Sequence, residues 1–280
     1  MRKILVATGL LAAVGMATAT AETVYGLTQS QQLVAFDHSS PSTVLGTSPA
    51  ISGLGAGESI VDIDFYPVNG QLYGMATSGN LYRINPLTGA ATLDVTPQSP
   101  INGPTDADFN PQADRLRVFG INGGNFRITP STNTAGSTGG NAGLVSSDGT
   151  IVNAAGGPLT TLVANAYTNN FDGTASTTLL SIDGAGDSLV THTGAPQFNN
   201  TSVVGPLGID VGTNVGFDIS PSGLSLLSNG NDLYSINVGT GSTSSLGSIG
   251  TLLGVTTIAI LPEPTSLALL ALAALAIRRR

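Results

Sequence analysis

The sequence predicts an all-β protein, a β-propeller of five four-stranded blades in which the C-terminal strand completes the first blade. One strand pattern returns five times at the spacing of a propeller blade. Between its two ends the chain is rich in glycine, serine, threonine and asparagine, residues of turns rather than of helices. The first repeat lacks an inner strand on its N-terminal side, and a suitable strand stands unclaimed at the end of the body.

The N-terminal segment comes first. Met1-Arg2-Lys3 is followed by an apolar, alanine-rich run over residues 4–17 and then by Ala19-Thr20-Ala21. A positive start, an apolar run and small residues at Ala19 and Ala21 reproduce the layout of a secretory signal peptide cut after Ala21. The apolar run is short for a membrane span, and strand-like sequence follows at once. Residues 1–21 are therefore read as a signal peptide and residues 22–261 as the folded body.

Within the body, the clearest repeated element is an apolar or aromatic pair, an alternating residue, a β-branched or aromatic residue and a turn. It reads Leu33-Val34-Ala35-Phe36-Asp37, Leu81-Tyr82-Arg83-Ile84-Asn85, Phe126-Arg127-Ile128-Thr129, Leu179-Leu180-Ser181-Ile182-Asp183 and Leu233-Tyr234-Ser235-Ile236-Asn237. The spacings are 48, 45, 53 and 54 residues. A short strand precedes the element at 24–27, 72–75, 116–119 and 224–227. Inner strands with alternating apolar residues lie earlier still, at 60–65, 105–109, 162–167 and 215–219. The fourth repeat is the least regular, its second strand being sought between residues 169 and 177. Residues 255–260 supply the missing inner strand of the first repeat and close the ring. A sandwich or solenoid would explain the spacing but would leave that first repeat without a partner.

The tail, residues 262–280, has three parts. Pro262-Glu263-Pro264 halts the last strand, residues 267–277 carry no polar side chain, and Arg278, Arg279 and Arg280 end the chain. A helix over 265–277 is apolar on every face and spans about 20 Å, short of the roughly 30 Å hydrocarbon core. The arginines belong on the cytoplasmic side. Motif, apolar segment and basic end resemble, in that order, the PEP-CTERM sorting signal. The resemblance implies recognition by an exosortase-type sorting protease, transient inner-membrane association, cleavage near Pro262-Glu263-Pro264, and delivery to the cell surface or extracellular matrix.

Charge narrows the partners. The body holds sixteen acidic side chains against four arginines and no lysine, a formal charge of −12. So acidic a surface argues against nucleic acid, which needs cationic contacts to phosphate. It suits solubility outside the cell and divalent cations; extracellular polysaccharide or matrix is a separate candidate partner. The chain has no cysteine, which excludes disulfides and thiolate metal sites.

Thr105-Asp106-Ala107-Asp108-Phe109-Asn110-Pro111, continuing through Asp114-Arg115-Leu116-Arg117-Val118, resembles the DUF4394 domain, whose function is not known. Ala166-Tyr167-Thr168-Asn169, Gly205-Pro206-Leu207-Gly208, Gly216-Phe217-Asp218-Ile219 and Asp232-Leu233-Tyr234-Ser235-Ile236-Asn237 extend the resemblance. It implies a propeller-like fold over about residues 24–261 and no activity.

Catalytic groups are sparse. His38 and His192 are far apart in sequence, in no metal-ligand spacing, and are expected at exposed or edge positions. No Gly-x-Ser-x-Gly turn occurs, and the body has no lysine for Schiff-base chemistry. Asp106 and Asp108 alternate along a strand and share a face, as Asp62 and Asp64 do one repeat earlier. Lining a central channel, these four are candidate calcium ligands. The alternatives are bonds to turn backbone, ion pairs with Arg115 or Arg117, or a hydrolytic carboxylate pair. Arg115, Arg117 and Arg127 fall in one blade, either as an anion contact or as counter-charges to Asp106, Asp108 and Asp114. The expected function is a non-enzymatic binding or structural module outside the cell, with a secreted metal-dependent hydrolase or lyase as the alternative.

Overall fold

The computed structural model describes residues 21–131 and 141–263. Most of the signal segment, including Ala19, and the tail from Pro264 to Arg280 lie outside the described residues.

Strands β1 (Thr23–Thr28), β2 (Leu33–Asp37) and β3 (Ser40–Thr47) open the chain. They are followed by β4 (Ile60–Phe65), β5 (Leu72–Ala76), β6 (Leu81–Ile84) and β7 (Ala91–Val95). The next four are β8 (Pro104–Asn110), β9 (Arg115–Gly120), β10 (Gly124–Ile128) and β11 (Val145–Thr150). Then come β12 (Leu162–Tyr167), β13 (Leu179–Asp183), β14 (Ser188–Thr193) and β15 (Asn200–Pro206). β16 (Val215–Ile219), β17 (Ser225–Asn229), β18 (Asp232–Ile236), β19 (Thr243–Ser248) and β20 (Val255–Ile260) end the series.

These strands form five antiparallel four-stranded sheets. Four are simple meanders, and the fifth has the order β20-β1-β2-β3. Each inner strand (β4, β8, β12, β16 and β20) lies beside the inner strands of the two neighbouring blades, so the sheets close into a five-bladed propeller. As expected, residues 255–260 complete the first blade: Val24 pairs with Ile260 and Tyr25 with Ala259. Ring closure thus ties the two ends of the body together.

The apolar core is divided among the five seams between blades. Tyr25, Leu33, Ile63, Phe65 and Ala259 pack between the first and second blades. Tyr66, Tyr73, Met75, Phe109 and Leu116 fill the next seam, with Tyr66 stacked on Phe109. Phe119, Ile151, Tyr167 and Leu179 form the smallest cluster, between the third and fourth blades. Ala164, Ala166, Ile182 and Phe217 belong to the fourth seam, and Val24, Phe36, Leu226, Val255 and Ile258 to the last. Alternation along the inner strands explains this. In β4 and β8 the odd positions Ile63, Phe65, Ala107 and Phe109 pack back on the preceding blade, which leaves the even positions to face the following one.

The fourth repeat corrects the expected phase. Residues 179–183 form β13, the second strand of their blade, and not the third as the repeat suggested; the third is β14. A connection over 168–178 replaces the short hairpin that joins the first two strands of the second, third and fifth blades. The sequence Leu179-Leu180-Ser181-Ile182-Asp183 copies the third-strand pattern because both positions need the same apolar alternation.

Candidate functional site

The inner edge of a propeller poses a backbone problem. Each innermost strand has one side paired within its blade, while its other N–H and C=O groups face the narrow channel. The even-numbered aspartates on β4 and β8 answer it. Asp62 Oδ2 accepts from Ala107 N–H, and Asp64 Oδ2 accepts from Phe109 N–H at 2.8 Å. One blade on, Asp108 Oδ1 accepts from Tyr167 N–H at 2.9 Å, while Asp106 Oδ2 accepts from the Asn165 side-chain amide. Asp218 on β16 does the same across the closing seam, taking Ile260 N–H at 2.5 Å. The Asp-x-Asp pattern is therefore an inter-blade staple: a short acceptor on one strand satisfies the exposed donors of the next.

Register sorts the staples into two levels. Asp62 and Asp106 stand at one level with Ala164, Gly216 and Thr257; Asp64, Asp108 and Asp218 stand at the next with Ala166 and Ala259. Gly216 has no side chain for a reason of space. A Cβ there would lie 2.4 Å from Ile258 N, so the closing strand passes where a side chain would sit. The fourth blade carries alanine at both levels, and its seam to the fifth is closed by apolar packing instead.

The upper pair is saturated. Asp62 Oδ1 takes its neighbour Ile63 N–H and the Thr257 hydroxyl. Burial pushes the Asp62 carboxyl up to about 6, with the hydrogen bonds from Thr257 and Ala107 holding it from rising further. Asp106 goes well above the usual carboxylate range through burial, the Asp62 charge and a hydrogen bond to Asp62. Burial and their closeness thus raise the proton affinity of both carboxyl groups.

The lower level is a cluster of three. Asp64, Asp108 and Asp218 are each at most 4 % exposed, and each places a carboxylate oxygen within 4.8 Å of the others. Burial comes first in raising all three, Asp218 to about 7. Asp218 and Asp62 push Asp64 further, and Asp64, Asp218 and Asp106 push Asp108. Asp64 Oδ1 is buried with no hydrogen-bond partner.

Of the four aspartates expected to line the channel, all do so, but they divide between the two levels. Asp218 completes the lower cluster and was missed as a ligand. Its strand was legible, but it lies 110 residues beyond Asp108 and meets it only through ring closure. The expectation that Asp64 and Asp108 bond to turns or to arginine is corrected: they bond to the inner strand of the next blade. Arg117, the cross-strand partner of Asp108, turns away. Fully buried, it reaches Tyr167 Oη at 2.7 Å, Asp148 at 3.1 Å, Pro196 O and Gln197 O. Arg127 joins it on Asp148 at 2.6 Å, and Arg115 spans Ser146, Arg127 O and Leu144 O. Arg117 thus ties the third blade to the fourth, while Arg115 and Arg127 brace the outer strands of the third blade, and the acid they gather around is Asp148 rather than Asp106 or Asp108.

His192 is also corrected. It is buried in the third strand of its blade, not at an edge, between Ser181 Oγ at 2.8 Å and Phe198 O at 2.7 Å. Burial takes its imidazole down to about 4. Ser181 is itself fully buried, so this serine–histidine contact faces no open cavity. His38 is half-buried beside Glu22.

Three open cavities surround this framework. One of about 350 Å³ forms the channel mouth, lined by Gln29, Gln31, Thr105, Thr213, Asn214 and Thr256 above Asp62 and Asp106. A larger cleft of about 570 Å³ lies at the opposite end, around Gln71, Arg83 and Leu261. A third, of about 330 Å³ and mostly apolar, runs beside Tyr25, Leu45 and Leu87. Of these three, the mouth is the one that reaches channel carboxylates, Asp62 and Asp106.

Fold and site together define a five-bladed propeller whose blades are pinned by buried channel aspartates. The chain belongs to the family described as Domain of unknown function (DUF4394), which it matches over residues 32–259. A structural genomics protein of unknown function from Bacteroides thetaiotaomicron VPI-5482 has a similar fold. It shares 12 % identity at a TM-score of 0.51, over 88 % of this chain and 68 % of that one. No curated protein matches the chain.

Proposed function

We propose that this chain is an exported propeller that acts without catalysis, as a binding or structural module at the cell surface or in the extracellular matrix. The observation that carries the reading is the channel mouth. Its wall sets amides and hydroxyls beside the half-buried Val61 and Val163, while Asp62 at its floor already has its oxygens engaged by backbone, Thr257 and Asp106. Such a wall pairs with the hydroxyls of an extracellular polysaccharide segment, and the acids beneath it serve the ring. The signal-like start and the tripartite tail supply the route out, and among the described residues no helix is long and apolar enough to cross a membrane.

Two experiments test the two halves. Removing the exosortase-type protease should hold the protein in the inner membrane; unchanged release would overturn the sorting route. Binding of the chain to purified matrix polysaccharide should be lost when Thr213, exposed at the rim, is changed by Thr213→Trp to fill the mouth. A secreted metal-dependent hydrolase or lyase is favoured by one observation, the adjacent carboxyl groups of Asp62 and Asp106 at the floor of the mouth, both raised by burial. Hydrolysis or elimination of that polysaccharide, abolished by Asp62→Asn and Asp106→Asn, would replace the binding reading with it.

A further inference from the structure

The two levels of channel aspartates solve the same backbone problem, yet they end in different electrostatic states. At the upper level both oxygens of Asp62 have donors, from Ile63 N–H, Ala107 N–H and the Thr257 hydroxyl, and Asp106 takes the Asn165 amide. The lower level has three carboxyl groups from three different blades: Asp64 from the second, Asp108 from the third and Asp218 from the fifth. What faces them is more negative charge. Asp62 acts on Asp64 and Asp218, Asp106 on Asp108, and Glu22 on Asp218. The nearest arginine by register, Arg117, is committed to Asp148 and Tyr167.

A second feature is independent of the clustering. The Phe109 N–H that pins Asp64 to the next blade occupies Oδ2. Oδ1 stays buried and unpartnered, on a side chain 4 % exposed whose charged neighbours are Asp218 and Asp62. A buried carboxylate oxygen without a donor costs its full desolvation penalty. One cation coordinated by that oxygen and by Asp108 and Asp218 removes the penalty and the mutual repulsion together.

We propose that Asp64, Asp108 and Asp218 form a calcium site on the propeller axis, a bound ion that locks the second, third and fifth blades together. The ligand set is all oxygen and anionic, which suits a hard divalent cation and no soft one. Oxygens within 4.8 Å of one another can share an ion whose Ca–O distances are about 2.3–2.6 Å. Magnesium, at about 2.1 Å with strict octahedral demands, would need these backbone-anchored side chains to move inward. Water supplies the remaining ligands, entering from the mouth above. The site is structural: the ion lies below Asp62 and Asp106, and its role is ring closure. It stands apart from the proposed surface function, since it concerns the purified chain and not its location or its polysaccharide.

The test is metal content and thermal unfolding of the purified full chain. After equilibration with micromolar calcium and desalting, elemental analysis should find about one calcium per chain. Chelator should lower the midpoint by several degrees and calcium should restore it, as binding to the native state requires. Asp64→Asn, Asp108→Asn and Asp218→Asn each keep an acceptor for the backbone donor but should lose the metal and the calcium response. Asp232→Asn, on an exposed side chain, should keep both. A folded wild-type chain with no stoichiometric metal and the same midpoint in chelator and in millimolar calcium overturns the proposal. That comparison decides even where an Asn variant fails to fold.

Discussion

Asp218 offers the sharpest separation of charge from hydrogen bonding. Its carboxyl stands at about 7 in the folded chain against 3.8 ordinarily, chiefly through burial. A folded value above the unfolded one means that the native state binds the proton more tightly between those two pH values. Stability is therefore lost as pH rises through that window, and the loss is complete above about pH 7. The difference corresponds to roughly 4 kcal/mol for this one group. Asp218→Asn removes the ionisation but keeps one acceptor oxygen, which can serve Ile260 N–H. Asp218→Ala leaves both Ile260 N–H and Ile219 N–H without their acceptor, a cost of about 1–3 kcal/mol for each. Urea unfolding in chelator, at pH 5 and pH 8, reads the two apart. The Asn variant should be within about 1 kcal/mol of wild type at pH 5 and more stable than wild type at pH 8. The Ala variant should be the less stable at pH 5. Asp62, Asp64, Asp108 and Glu22 face the same carboxyl, so part of the relief at pH 8 will reach them. An Asn variant destabilised equally at both pH values would refute the assignment of a raised, buried carboxyl.

His192 works in the opposite direction: with its folded value near 4 against 6.5, stability is lost as pH falls from about 6.5 towards 4. His192→Gln should flatten that acid limb in a midpoint-versus-pH series, and an unchanged limb would assign it elsewhere. Arg117→Met leaves Asp148, Tyr167 and two carbonyls without their shared donor, so a loss of about 3–5 kcal/mol is expected, with Arg117→Lys rescuing little because it lacks the planar fork. Denaturant titration checks both variants. Gly216→Ala drives a methyl into the Ile258 backbone and should cost at least about 1–3 kcal/mol by the same measurement.

Much of this molecule is legible in its sequence, because strands, turns and blade length are encoded locally. β4, β12, β16 and β20 have the bounds that alternation predicts, and β20 was assigned to the first blade because that repeat lacked an inner strand. The shared face of Asp62 with Asp64, and of Asp106 with Asp108, follows from strand geometry alone. Where one local pattern serves two strand positions, as at residues 179–183, the phase is ambiguous until neighbours are known.

What only the tertiary structure decided is what meets across the seams. Arg115, Arg117 and His192 look like surface groups by residue type, and burial is set by the blade that comes to cover them. Asp218 joins Asp64 and Asp108 because five sheets close around one axis, bringing three distant strands within a few ångströms. Sequence alone places carboxylates on a strand face. Their raised proton affinity, and the oxygen of Asp64 left without a protein donor, arise only when the ring closes and buries them.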